Sequence, residues 1–220
     1  MRLNVVVAGD GPPIVMLHGM GSSSATWSNC MRLLAPGHLV MAVDLLGHGA
    51  SPAPEDPTEY TRDRALVDVD EILATLDPAV LVGHSLGGYL ALAHAATRPG
   101  ITRGVVAINT GPGFRDPVKR QKWNDGTRRA ASKFAVPIQA CELNLQHDSV
   151  VMDSLENILT PTLVLAGDQD RPEFQRSGLY LQRRMPNARL VVIEQGNHGM
   201  HELTHAAAIA AEIIEFVATL

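Results

Sequence analysis

Short apolar runs alternate with longer amphipathic stretches along most of the chain. Strand-like runs occupy 3–8, 14–17, 39–43, 79–83, 103–109, 161–166 and 189–193. Those at 79–83, 161–166 and 189–193 are apolar with little alternation, the pattern of strands buried on both faces. Helical spacing predicts helices over 23–35, 62–76, 86–98, 173–185 and 200–218. In the second of these, Leu66, Val69, Ile72, Leu73 and Leu76 form one apolar face, and Thr61 and Asp63 suit its start. Strand and helix alternating through short joints imply an α/β fold: a mostly parallel sheet of about seven strands flanked by helices. Gly9-Asp10-Gly11-Pro12-Pro13 reads as a tight turn between the first two strands.

The stretch 111–159 breaks this rhythm. It is richer in charge, carries Pro112, Pro117 and Pro137, and fits helical pieces near 117–133, 138–146 and 149–157. The expected organisation is a core of 1–110 and 160–220 with a helical insertion between two strands at 111–159. At 220 residues one domain is the natural reading. A net charge of −5 argues against a nucleic-acid partner. Cys30 and Cys141 lie far apart and form no metal-like spacing, which fits a reducing compartment. The first residues reach Gly9-Asp10-Gly11 too soon for a signal peptide, and no apolar stretch is long enough to cross a bilayer. The expectation is a cytoplasmic protein, monomer or homodimer, without a membrane partner.

The chemistry centres on Gly83-His84-Ser85-Leu86-Gly87-Gly88, between an apolar strand and a helical run. Strand, G-x-S-x-G, helix is the context in which a serine becomes a nucleophile. The turn is sharp enough to demand nearly bare positions two before and two after the serine, and both are glycine. A serine needs a base, and the base needs an orienting carboxylate. In an open α/β sheet such groups gather at the carboxyl ends of strands. The 161–166 strand runs into Gly167-Asp168-Gln169-Asp170, and the 189–193 strand into Gly196-Asn197-His198-Gly199, giving the order Ser, Asp, His with Asp168 and Asp170 both open. The 14–17 strand leads into His18-Gly19-Met20-Gly21, a turn able to aim the Met20 amide at the spot facing Ser85; with the Leu86 amide it would form an oxyanion hole. His18 and His48 read as loop supports, and His84 as packing beside the elbow. A rival motif, His201-Glu202-Leu203-Thr204-His205, is a literal H-E-x-x-H and on a helix could bind zinc. No third histidine follows it, and the zinc metallopeptidase reading is set below the serine one.

Five pieces in order, H-G-M-G at 18–21, D-L-L-G-H-G-A-S at 44–51, G-H-S-L-G-G at 83–88, G-D-Q-D at 167–170 and G-N-H-G-M-H-E at 196–202, resemble the α/β-hydrolase fold family over nearly the full length. The resemblance implies Ser85 as nucleophile, His198 as base, Asp170 as acid by the G-x-x-D spacing, and a structural turn built by Asp44 and Gly49. It also implies that 111–159 is a small helical cap over an open or shallow pocket, and that the N-terminal strand common in the family is missing or very short.

A serine at the elbow points to acyl transfer, whereas dehalogenases and epoxide hydrolases of this fold carry aspartate there. The expected function is hydrolysis of a small to medium carboxylic ester or thioester through an acyl-serine, with no cofactor and no metal. The alternatives are a carbon–carbon bond hydrolase or lyase, and a non-catalytic binding protein. Between 115 and 133 seven basic residues face only Asp116 and Asp125. That charge suggests an anionic substrate drawn to the cap. The candidate substrate contacts are Gly19, Tyr89, Trp123, Arg128 and Arg129.

Overall fold

The computed structural model describes residues 2–220. Its strands are β1 (Val5–Ala8), β2 (Pro13–Leu17), β3 (Leu39–Val43), β4 (Val80–His84), β5 (Gly104–Ile108), β6 (Thr162–Gly167) and β7 (Ala188–Ile193). They form one sheet in the order β1-β3-β2-β4-β5-β6-β7. Every pairing is parallel except that of β1 with β3. The helices are α1 (Ser28–Leu34), α2 (Arg62–Leu73), α3 (Leu86–Thr97), α4 (Pro117–Ala130), α5 (Val150–Ser154), α6 (Pro172–Arg184) and α7 (Ala206–Ala218).

Alternation along each strand divides the core into two layers. Ile14 and Met16 of β2, Val80 and Val82 of β4 and Leu163 and Leu165 of β6 face α1 and α7, where Trp27, Leu34, Ile209 and Ile213 complete the packing. Val15, Leu17, Leu81, Val105 and Val164 face the opposite side, against Leu66 and Val69 of α2, Leu90 of α3 and Leu181 of α6. α3 is buried from Leu86 through Ala95. A helix apolar all round lies in the interior, and here that interior position fixes the residue just before it, Ser85.

Three sequence expectations need correction. The run at 189–193 is an edge strand, not one buried on both faces: β7 pairs only with β6, and Val192 is 55% exposed. The turn at 9–13 joins β1 to β2 as expected, with β3 lying between the two strands in the sheet. Gly9 (φ +71°) packs so closely that a Cβ would stand 2.3 Å from the Ala35 and His38 carbonyls. The helix over 23–35 is a short 3-10 turn at Ser24–Trp27 followed by α1; the Ser24 amide is held by the Asp44 carboxylate and not by a helical partner. The helix over 200–218 starts only at Ala206. Residues 197–205 form turns closed by bonds from the Met200, Glu202 and His205 amides to the Asn197, Gly199 and Met200 carbonyls. The H-E-x-x-H residues are therefore not one helix face. His201 is buried with Nε2 on Thr26 Oγ1, Glu202 is exposed, and His205 caps α7.

Candidate active site

The parallel strands deliver their carboxyl ends to one edge of the sheet, and the candidate residues sit in the loops that leave it. Ser85 follows β4 with φ +50°, ψ −110°, a conformation that costs a non-glycine residue of order 1–3 kcal/mol. The surrounding structure enforces it. A Cβ on Gly83 would stand 2.2 Å from the Gly87 carbonyl oxygen, and one on Gly87 would stand 2.1 Å from the Leu17 carbonyl oxygen. Gly87 also donates its amide to the His18 carbonyl, tying the elbow to the loop after β2.

Asp170 and His198 meet as expected. His198 Nδ1 donates to Asp170 Oδ2 at 2.8 Å, and the second carboxylate oxygen accepts the Arg171 amide at 2.6 Å. The Asp170 side chain is 1% exposed and His198 35%. With Nδ1 committed as a donor, Nε2 is left as the acceptor. Asp168 is exposed in the preceding turn, away from this pair. Phe174 stacks on the imidazole at 4.7 Å between centroids. Among the described residues Ser85 Oγ makes no hydrogen bond, and Ser85 and His198 line the same cavity. A nucleophile and its base are often this loosely engaged before substrate arrives.

Met20 and Leu86 each line a cavity that Ser85 also borders. Leu86 is the first residue of α3, where an amide has no partner within the helix. Among the described residues neither amide donates a hydrogen bond, whereas the neighbouring Gly21 and Gly87 amides are taken by His48 and the His18 carbonyl. Gly19 lies against the elbow, where a Cβ would stand 3.4 Å from the Ser85 Cβ.

The supporting histidines are neutral by construction. His18 donates Nδ1 to the Gly19 carbonyl and accepts the Leu45 amide at Nε2; His48 donates Nδ1 to the Leu46 carbonyl and accepts the Gly21 amide. A second proton on either ring would face an N–H. Burial, then the nearby His48, push His18 down to about 4. Burial, then His198 and His18, push His201 down to about 3, and burial sends His84 well below the ordinary range. These three rings refuse protons that the unfolded chain accepts near pH 6.5. Folded values below the unfolded one mean stability that is present above about pH 6.5 and is lost as pH falls toward 4. The expected result is a thermal midpoint that drops steeply between pH 6.5 and 4.5, each ring contributing up to about 1.4 kcal/mol per pH unit. A midpoint unchanged over that interval would contradict it.

Asp44 and Gly49 build the expected turn. Burial raises the Asp44 carboxyl, but the amides of Ser24 and Ala50 and the Asn4 side chain outweigh it and hold the group below its usual value. A Cβ on Gly49 would collide with that carboxylate at 2.3 Å.

Two supports escaped the sequence reading. Asn109, at φ +46° just past β5, accepts the Gly167 amide at its Oδ1 and donates to the Asn197 and His198 carbonyls. Thr110 donates its hydroxyl to the Ser85 carbonyl at 2.7 Å. One dipeptide thus ties together the three loops that carry Ser85, Asp170 and His198. The only sequence signal was a cluster of turn formers, Asn109-Thr110-Gly111-Pro112, closing an apolar strand.

The segment between β5 and β6 lies over this edge. α4 turns Lys119, Lys122, Trp123, Gly126, Thr127 and Ala130 toward the cavity, the three-and-four spacing of one helix face. Arg128 and Arg129 fall off that face. Both are exposed, Arg128 stands 3.9 Å from Glu142, and neither lines the cavity holding Ser85, so the expectation that they contact substrate is corrected. The basic residues that do line it are Lys119, Lys122, Arg171 and Arg176, none of them in an ion pair among the described residues. Trp123 and Tyr89 do line the cavity system. Beside the cavity a second chamber, which shares Ser85, Phe114 and Trp123, runs to Tyr89, Phe174 and Gln146. Both cysteines are buried and free, and burial pushes the Cys30 thiol up to about 12. Among the described residues no helix is long and apolar enough to cross a membrane.

Comparison with known proteins agrees with this fold. Residues 12–137 match the alpha/beta hydrolase fold family, and the chain belongs to that family. It is 30% identical over 190 residues to a pimeloyl-[acyl-carrier protein] methyl ester esterase of Nitrosospira multiformis, covering 84% of this chain and 67% of the relative. It is 35% identical over 112 residues to an uncharacterized protein of Mycobacterium tuberculosis; that match takes in 50% of this chain and 32% of the other, so it spans about a third of the relative's length. Among solved structures, a thermophilic esterase from Thermogutta terrifontis superposes with a TM-score of 0.84 at 21% identity, covering 99% of this chain and 93% of the esterase.

Proposed function

We propose that the protein is a serine hydrolase cleaving a small to medium carboxylic ester or thioester through an acyl-serine intermediate. The observation that carries this reading is the Asp170–His198 hydrogen bond, with His198 lining a cavity together with Ser85 and Met20, and Leu86 lining the adjoining one that Ser85 also borders. His198 Nε2 takes the Ser85 proton as Oγ attacks the carbonyl carbon, and the Met20 and Leu86 amides hold the oxyanion. The protonated imidazole, held by Asp170, passes its proton to the leaving oxygen or sulfur. Water then attacks the acyl-serine with His198 again as base. None of these steps needs a cofactor. In this reading 111–159 serves as the cap. The relative from Nitrosospira, named as an esterase, supports the ester class without fixing the substrate. The test is a panel of p-nitrophenyl esters and acyl-CoA thioesters, run on the wild type and on Ser85→Ala with a serine-directed phosphonate as label. Turnover by the wild type that is blocked by the phosphonate supports the reading. Turnover blocked by a chelator and not by the phosphonate overturns it.

The cationic mouth favours acidic substrates. Lys119, Lys122, Arg171 and Arg176 line it against only Glu173 and Glu202. Charges of one sign around a cleft raise the local concentration of opposite charge. Lys119→Glu with Lys122→Glu is expected to raise KM for a hemisuccinate ester about three- to tenfold at low ionic strength, leave a neutral ester unchanged, and lose most of its effect in 0.5 M salt. Equal changes for both esters would refute the steering role.

A further inference from the structure

Among the described residues the Gln146 side-chain carboxamide has no hydrogen-bond partner, and it stands in the wall of the chamber that Ser85 and Leu86 also line. Its residue is 7% exposed, its Oε1 is buried with no hydrogen bond, and its Nε2 donates none among the described residues. A buried polar group in this state is rare and calls for an explanation. Its backbone is not loose. The Gln146 amide donates to Asn124 Oδ1 at 2.8 Å and its carbonyl accepts Asn124 Nδ2 at 2.9 Å, so one α4 side chain clamps the peptide from both sides. Gly113 (φ +82°) makes the room for the side chain; a Cβ there would stand 2.3 Å from Gln146 Oε1.

The neighbouring chain repeats the theme. Leu145 is extended (φ −79°, ψ 147°) and buried, so Asn144 and Gln146 fall on the same side of the strand-like segment. Both line the chamber together with Ser85, Leu86 and Tyr89. Asn144 spends its Nδ2 on Thr127 and its carbonyl on the Trp123 indole, and its Oδ1 accepts nothing among the described residues. The rest of the wall includes Phe114, Trp123 and Phe174, which offer apolar surface.

We infer that Gln146, with Asn144 beside it, forms a polar subsite for the acyl half of the substrate, selecting acyl groups that carry an amide or hydroxyl a few atoms beyond the reacting carbonyl. Gln146 Oε1 is enclosed against Gly113, which leaves Nε2 to donate to an acyl carbonyl oxygen, while the free Asn144 Oδ1 can accept an N–H, so the pair complements a secondary amide from two sides. This rests on the acyl-serine reading above, because it is the acyl group that occupies the chamber behind Ser85. A site built to hydrogen-bond such a group discriminates strongly against an analogue lacking it, since its own polar atoms would be left unpaired.

The test uses two esters of equal chain length, p-nitrophenyl 4-acetamidobutanoate and p-nitrophenyl heptanoate. The wild type is expected to hydrolyse the first with a kcat/KM at least equal to the second. Gln146→Leu, which keeps both backbone bonds to Asn124, is expected to lower kcat/KM for the acetamido ester about tenfold or more and to leave the heptanoate unchanged or faster. A wild type that strongly prefers heptanoate, or a Gln146→Leu variant that changes both esters alike, overturns the inference. A second readout does not depend on turnover. In Ser85→Ala, calorimetry is expected to show 4-acetamidobutanoate binding more tightly than heptanoate, with the order reversed when Gln146→Leu is added. If neither ester is hydrolysed by the wild type yet this reversal is seen, the esterase reading fails and the subsite stands; an unreversed order sinks the subsite even in an active esterase.

Discussion

Ser85→Ala is expected to lose about 10⁴-fold or more in kcat on any ester the wild type turns over, with the fold intact. The size follows from what is removed. Without Oγ there is no acyl-enzyme, and His198 can act only on water from a geometry arranged for the serine. The oxyanion donors and the binding surface remain, and they account for the residue of rate that such variants keep. The fold is expected to survive because the elbow is held by backbone and not by the hydroxyl. The Ser85 amide donates to the Ile108 carbonyl, its carbonyl accepts the Tyr89 amide and the Thr110 hydroxyl, and among the described residues the Ser85 hydroxyl makes no bond. Alanine at φ +50° is as strained as serine, so the thermal midpoint should shift by no more than a few degrees. Steady-state rates, with a phosphonate titration to count active sites, measure the loss. A variant retaining more than about one per cent of wild-type kcat would show that another group attacks the substrate.

Most of what the sequence made legible lay at the carboxyl ends of strands. β4 and β6 are buried on both faces and read as unbroken apolar runs, so the residues just beyond them could be placed without knowing the strand order. Ser85 and Asp170 were singled out as candidates this way, and His198 by the same logic, although its strand proved to be an edge. The chemistry needs glycine at Gly83 and Gly87 for steric reasons, and steric demands leave a mark on sequence. Hydrogen-bonded supports leave a fainter one. Asn109 looks like any turn former; its reach to Gly167, Asn197 and His198 depends on β5 lying beside β4 and β6, which is tertiary information. The cationic mouth was misplaced for a different reason. The charge of the 115–133 segment was visible, but which cations face the cavity depends on the phase of α4. Anchoring that phase at Trp123 selects Lys119, Gly126, Thr127 and Ala130 by helical spacing and leaves out Arg128 and Arg129, whereas Lys122, next to Trp123 in sequence, does not follow from it. The helix expected from residue 200 failed because His201 is buried among His84, Trp27 and Thr26, and that packing outweighs local helical preference up to Ala206.

Asp170→Asn is expected to cost about 10³- to 10⁴-fold in kcat, while Asp168→Asn leaves kcat within a factor of two. The argument turns on which oxygen is already occupied. Asp170 Oδ1 accepts the Arg171 amide at 2.6 Å, and Oδ2 accepts His198 Nδ1 at 2.8 Å. An asparagine in the same rotamer has one acceptor to serve both N–H groups. The backbone amide of Arg171 cannot turn away, so the carbonyl oxygen stays there and the new NH₂ faces His198. The imidazole must then present Nδ1 as an acceptor, which moves its proton to Nε2, the atom that has to take the proton of Ser85. The base is disabled with its position unchanged, and the loss falls on kcat while KM moves little. Asp168 lies in the exposed turn before it and touches neither ring nitrogen, so its amide variant changes surface charge alone. Steady-state kinetics of the two variants, with the His198 ring proton followed by NMR, separate the cases. A large loss in Asp168→Asn, or an Asp170→Asn protein with its proton still on Nδ1, would mean that the orienting carboxylate has been assigned to the wrong residue.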